Sequence, residues 1–150
     1  MYYKPKHFTL QELVSPKVYE KEGEKSLRLL DAGLLTDLDI IREYADEPII
    51  INDWSWGGSY TESGLRTVGD SYYSLTSGHA SGRAFDIKLA RWLKGDYSKD
   101  ADWLRGLIMD LKEAGKLKYL TELEMETDTW VHIGSRNNPP NYRSLFVFNP

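Results

Sequence analysis

Apolar positions along the chain repeat at two periods, and the change from one to the other separates helices from strands. Thr9-Leu10-Gln11-Glu12 reads as a capping box, with Phe8 packing on the first turn as a staple. Ser15-Pro16 starts a second short helix, since proline suits the first helical position, and Gly23 breaks it. Leu34, Leu38, Ile41 and Ala45 recur at helical spacing, and Leu30, Leu35 and Ile40 widen the stripe. The spacing predicts a helix from about Glu24 or Asp31 to Tyr44, stopped by Pro48. Ala101, Leu104, Ile108, Leu111 and Ala114 mark one face of a second long helix that ends at Gly115.

The shorter period appears elsewhere. Ile49-Ile50-Ile51 is an apolar run between breakers and reads as a buried strand. Arg83 to Leu89 alternates, with Ala84 and Asp86 on one face and Phe85 and Ile87 on the other. Leu117 to Glu126 predicts a strand with Leu123 and Met125 on one side and Glu122, Glu124 and Glu126 on the other, where Glu122 reads as a solvated charge. Thr127-Asp128 is then a turn and Trp130 to Ile133 an antiparallel return strand. Asn137 to Tyr142 reads as a Pro/Asn loop and Leu145 to Phe148 as a closing strand. Asn52 to Gly78 has no period. It mixes glycines with Trp54, Trp56, Tyr60, Tyr72 and Tyr73, and so long a connection is usually an active-site wall or lid.

Composition narrows the classes. With 150 residues, 41% of them hydrophobic and 28% charged, residues 1–150 are expected to form one globular domain with a real core. A net charge of −4 leaves no basic surplus to neutralise phosphates, which argues against a nucleic-acid partner. No apolar run of signal-peptide length opens the chain, and none is long enough to span a bilayer. Synthesis in the cytoplasm without membrane insertion is therefore expected. Cysteine is absent, so a metal site can draw only on His, Asp and Glu.

The candidate chemistry gathers in Ser77-Gly78-His79-Ala80-Ser81-Gly82-Arg83-Ala84-Phe85-Asp86. A loop presents His79, Gly82 permits a tight bend, and the strand that follows carries Asp86 back to the same place. An imidazole and a carboxylate so placed make two-thirds of a catalytic zinc site. His7 has nothing chemical around it. His132, between Val131 and Ile133, reads by itself as a half-buried histidine on a sheet face.

The pattern Ser77-x-His79-x-x-Gly82-x-Ala84-x-Asp86, with Trp130-x-His132 downstream, resembles the M15 zinc peptidases. That group holds the bacterial D-alanyl-D-alanine carboxypeptidases and dipeptidases and many phage endolysins. His7 to Leu13, Pro48 to Asn52, Gly57-Gly58 and Gly64-Leu65-Arg66 are also similar to phage members, so the resemblance covers most of the chain. It implies an α+β fold, a small antiparallel sheet flanked by helices, of the Hedgehog/D-Ala-D-Ala peptidase-like type. It implies that His79, Asp86 and His132 bind Zn²⁺ and that Arg66 stands near the scissile bond. The implied activity is hydrolysis of peptide bonds in peptidoglycan stem peptides, as a carboxypeptidase or an endopeptidase. The implied place of action is the cell wall, after release or from a phage virion. The alternative on the same fold is a structural or binding protein without turnover, with phage virion proteins as partners.

Such a hydrolase needs a carboxylate that takes a proton from the attacking water and hands it to the leaving amine. Several members place an acidic residue three positions before the last histidine, where this chain has Thr129. Similar phage members place a glutamate on the preceding strand instead. Glu124 fits that best, Glu126 second by sharing its face, and Asp128 third. Trp54, Trp56, Tyr72 and Ser77 stand as candidate substrate-binding residues, although core packing accounts for the aromatic ones equally well. Gly134 follows His132-Ile133 where the resemblance leads one to expect a carboxylate, and its presence would remove a hydrogen bond to a ligand.

Overall fold

The chain turns the expected alternation of periods into four α-helices and five strands, seen in a computed structural model that describes residues 2–137 and 145–150. The expected loop at 137–142 falls, beyond Asn137, outside the described residues. Helix α1 (Leu10–Leu13) is capped as predicted, the Thr9 N–H donating to Glu12 Oε2 at 2.8 Å. Helix α2 (Pro16–Glu22) is capped by Ser15 Oγ, which accepts from the Val18 N–H. A 3₁₀ segment (Gly23–Leu29) then intervenes, and α3 (Ala32–Ala45) begins only after Asp31, whose carboxylate accepts from the Leu34 N–H at 2.7 Å. The later of the two predicted starts is thus set by a side-chain cap. Helix α4 is Ala101–Glu113. Among the described residues no helix is long and apolar enough to cross a membrane.

The strands are β1 (Ile49–Ile50), β2 (Ala84–Leu89), β3 (Glu122–Glu124), β4 (Val131–Gly134) and β5 (Phe146–Phe148), in the sheet order β1-β2-β4-β3-β5. The class is α+β, but the sheet is not wholly antiparallel, because β5 runs parallel to β3. Both edges of β4 are taken, one by β2 and one by β3, so the closing strand adds outside β3 instead of folding back on its predecessor.

The predicted strand from Leu117 to Glu126 shrinks to three residues. Asp37 of α3 is the cause at one end: its buried carboxylate accepts the N–H groups of Lys118, Tyr119 and Leu120 at 3.2, 2.7 and 2.7 Å. Those donors are spent on a helix side chain and are not available to a neighbouring strand. At the other end Glu126 takes φ 65°, which breaks the alternation, so Glu126 does not continue the face of Glu124.

The apolar core lies on one side of the sheet. Leu34, Leu38 and Ile41 of α3 and Leu104, Ile108 and Leu111 of α4 join Phe85, Ile87, Val131 and Ile133 there. Period two sends the alternate residues, Asp86, His132 and the glutamates of β3, to the opposite face. Gly82 closes the bend into β2 at φ 69°, and a Cβ there would lie 2.0 Å from the Leu29 carbonyl oxygen, so only glycine fits.

Candidate metal centre

Asp86 and His132 are direct cross-strand partners in the β2–β4 register, which alone brings a carboxylate and an imidazole together. His132 Nδ1 donates to Asp86 Oδ1 at 2.9 Å. His79 arrives from the 3₁₀ turn Gly78–Ser81, capped by Ser77 Oγ, which accepts the His79 N–H at 3.2 Å. Its ring is aimed by the backbone of the long loop: Nδ1 donates to the Gly64 carbonyl at 2.9 Å, leaving Nε2 3.3 Å from Asp86 Oδ1. That carbonyl is itself held, because the Leu65 N–H donates to Leu13 O at 2.8 Å and Val14 bridges Leu65. A Cβ at Gly64 would meet Leu13 O at 2.1 Å, so glycine is what lets these two segments touch.

Each of His79, Asp86 and His132 offers one ligand atom, and the three lie within 4.8 Å of one another. Both histidines are buried. The outward nitrogen of each ring is engaged by an acceptor, Gly64 O for His79 and Glu122 Oε1, 3.3 Å away, for His132. This arrangement leaves the inward nitrogens to ligate once a metal displaces the proton that His132 Nδ1 shares with Asp86. The donor set fits a metal ion.

Glu122 is the correction to the expected solvated face. It is buried, 4% exposed, and Arg136 Nε lies 3.3 and 3.2 Å from its two carboxylate oxygens. The repeated Glu-x-Glu-x-Glu pattern gives no sign of this. The distinction comes from the opposite strand, where Gly134 faces Glu122 and leaves it room. Extending the same register by one residue sets Glu124 across from His132. Glu124 is half-buried; burial pushes its carboxyl above the ordinary glutamate range, and it couples to His132, Asp86 and His79. Glu126 and Asp128 are exposed on the turn that follows. Buried Arg105 fixes that turn by donating to Glu124 O at 3.0 Å and Thr127 O at 2.6 Å, a tie that the helical pattern around it does not announce.

Arg66 meets the centre directly, its Nη2 3.3 Å from Asp86 Oδ2, and is steadied by the carbonyls of Glu62 and Tyr72. A cleft of about 450 Å³ opens beside Asp86, with Tyr60, Glu62, Arg66, Tyr72, Lys88 and Trp130 among its walls. Lys88, buried at 2% exposure, donates to Ser63 Oγ at 2.9 Å and to Asp86 O at 3.1 Å. Burial lowers its pKa to about 8. Of the expected substrate contacts only Tyr72 lines this cleft. Trp54 is a structural tie, its Nε1 donating to Val14 O at 3.0 Å and its ring against Tyr19. Trp56 is exposed away from the cleft walls, and Ser77 lies under His79 as its cap. Tyr60 of the long aromatic loop and Trp130 of the Trp-x-His pair line the cleft as well, and Lys88 joins them because its strand meets that loop.

Without metal, the centre holds a proton. Burial pushes His132 down, but the Asp86 and Glu122 carboxylates on its two nitrogens overcome that and raise it to about 9. Burial pushes Asp86 up, yet His132 and His79 hold it well below the usual carboxylate range. His132 is thus raised above its unfolded value of about 6.5, so its contribution is complete below that pH and lost as pH climbs through the folded value. The metal-free protein should therefore lose up to about 3 kcal/mol of stability between about pH 7 and pH 10. Denaturation midpoints measured in chelator across that range check it, and a flat profile would contradict it. Since the same proton competes with a metal, metal affinity should rise over the same interval.

No family model, curated protein or solved structure matches the chain. The functional reading accordingly rests on the residues and their geometry.

Proposed function

We propose that this protein is a zinc-dependent peptidase of the M15 type that hydrolyses peptide bonds in peptidoglycan stem peptides. The observation that carries the reading is the meeting of His79, Asp86 and His132 donor atoms within 4.8 Å, from three separate segments. Two imidazoles and one carboxylate, with no thiolate in the chain, are a donor set suited to Zn²⁺. Zinc held there would supply a water of lowered pKa and polarise the scissile carbonyl.

The chain's own groups do the rest. Glu124, set across from His132 with its pKa raised by burial, takes the proton of the attacking water and passes it to the leaving amine. The Arg66 guanidinium, at the rim of Asp86, stabilises the oxyanion that forms on the carbonyl oxygen. The cleft beside Asp86 receives the peptide, with Tyr72 and Trp130 as its aromatic walls. The accompanying fold reading is the Hedgehog/D-Ala-D-Ala peptidase-like type, supported by an antiparallel strand pair that carries two of the three ligands. The place of action is the cell wall, reached after release or from a virion.

Metal removal tests the activity. Purified peptidoglycan incubated with the protein should gain free amino groups, stop doing so in chelator, and resume when zinc is restored. Zinc uptake without any such release would overturn the hydrolase reading and leave a zinc-binding structural role.

A further inference from the structure

Gly134 and Glu122 face each other across β3 and β4, and their side-chain spaces are one space. A Cβ built on Gly134 would lie 2.2 Å from Glu122 Oε1, 2.5 Å from its Cγ and 2.6 Å from its Cδ. The glutamate carboxyl therefore occupies the position that a side chain at 134 would otherwise fill. From there Oε1 lies 3.3 Å from His132 Nε2, the ring nitrogen that faces away from Asp86.

Resting on the zinc reading above, we propose that Glu122 is the positioning residue for His132. It is a carboxylate supplied by the neighbouring strand that orients the ligand ring and holds its outer N–H, with Gly134 as the vacancy that admits it. Three observations converge on this. The Glu122 side chain is 5% exposed, so its charge is not there for solubility. Arg136 clamps it, Nε lying 3.3 and 3.2 Å from its two oxygens while Nη1 donates to the Thr76 carbonyl at 3.0 Å. The His79 ring is managed by the same device, its outer nitrogen donating to the Gly64 carbonyl. Both imidazoles thus have an acceptor behind them and a ligand nitrogen in front. Outer acceptors of this kind fix which nitrogen carries the hydrogen and make the other a better donor to the metal.

The arrangement also implies that the carboxylate can be moved. A residue at 134 shares the strand face of His132, since the two are two apart on β4. An aspartate there, once Glu122 is shortened, would place its oxygens near the same ring nitrogen.

Zinc affinity, measured by competition with a chromophoric chelator on the full chain, tests this through four proteins. Wild type sets the reference. Glu122→Ala should bind zinc roughly 10–100-fold more weakly, and Glu122→Gln, which keeps an acceptor but loses the charge, should fall between the two. The double variant Glu122→Ala/Gly134→Asp should recover most of the loss. It should also return the visible spectrum of the cobalt(II)-loaded protein to that of wild type. Thermal melting of each metal-free protein separates a folding defect from a binding one. Wild-type affinity in Glu122→Ala would overturn the proposal. So would a loss that tracks melting alone and is not recovered by Gly134→Asp. If wild type itself took up no zinc, the metal reading would fall first and this inference with it, an outcome distinct from a zinc-binding wild type indifferent to Glu122.

Discussion

His132→Ala is expected to abolish zinc binding and, independently, to destabilise the metal-free fold by about 3–5 kcal/mol. The two losses have different origins. Binding fails because one of three ligands is gone and the remaining pair, His79 and Asp86, offers only two donor atoms. Stability falls because His132 sits between two carboxylates, 2.9 Å from Asp86 and 3.3 Å from Glu122. Its removal leaves both carboxylates without the imidazolium between them. Arg66 and Arg136 still touch them from outside, at 3.3 and 3.2 Å, and keep the loss from being larger. The sign with pH distinguishes this from a simple cavity. In wild type Asp86 is depressed, so its contribution is lost as pH falls. In the variant burial still pushes both carboxylates up while His132 no longer opposes it, so the destabilisation should shrink as the solution is acidified from about pH 7 to about pH 5. Chemical denaturation of variant and wild type at both pH values measures it. An equal loss at the two would show that the pair is not held by His132.

Glu124→Gln is expected to lower the rate of peptide hydrolysis by roughly 10²–10⁴-fold while zinc binding stays near wild type. Glutamine preserves size and polarity but cannot take a proton from water. Glu124 touches none of the ligand donor atoms through a hydrogen bond among the described residues, so the metal site should tolerate the change. The matched control is Glu126→Gln. Glu126 lies beyond the end of β3, exposed and at φ 65°, and its loss should leave turnover within a few-fold of wild type. A large effect at 126 and none at 124 would reverse the assignment of the base. Because burial raises the Glu124 pKa, the acid limb of the rate profile should also lie above the ordinary glutamate value of about 4.3.

Local chemistry was legible wherever one segment determined it. The Thr9 and Ser15 caps, the α4 stripe, the Gly82 bend and the alternation that turns Asp86 away from Phe85 all follow from neighbours in sequence. The start of α3 was readable as one of two choices, and the Asp31 cap decided between them. What could not be read were the properties set by a partner far along the chain. Asp37 captures three backbone donors from residues 118 to 120 and so shortens β3, a fact visible in neither segment separately. The parallel seating of β5 depends on both edges of β4 being occupied.

The same divide runs through the site. His79 and Asp86 share one motif and are paired by it, whereas His132 reads by itself as an ordinary sheet residue and joins them in the sequence only through the family resemblance; the register sets it opposite Asp86. Glu122 and Glu124 have the same alternation and opposite surroundings. Gly134 makes room for one, and the extended register sets His132 opposite the other. Lys88, on the face of Asp86 by period two, is buried against Ser63 and the Tyr60 ring, a setting that depends on where the long loop lies.

The most direct test of the account is the position of zinc itself. Crystals of the zinc-loaded protein, measured at the zinc absorption edge, should show one strong anomalous peak between the side chains of residues 79, 86 and 132. The outer nitrogens of the two rings should still be facing Gly64 and Glu122. An absent peak, or one elsewhere on the surface with Asp86 still bonded to both imidazoles, would contradict it.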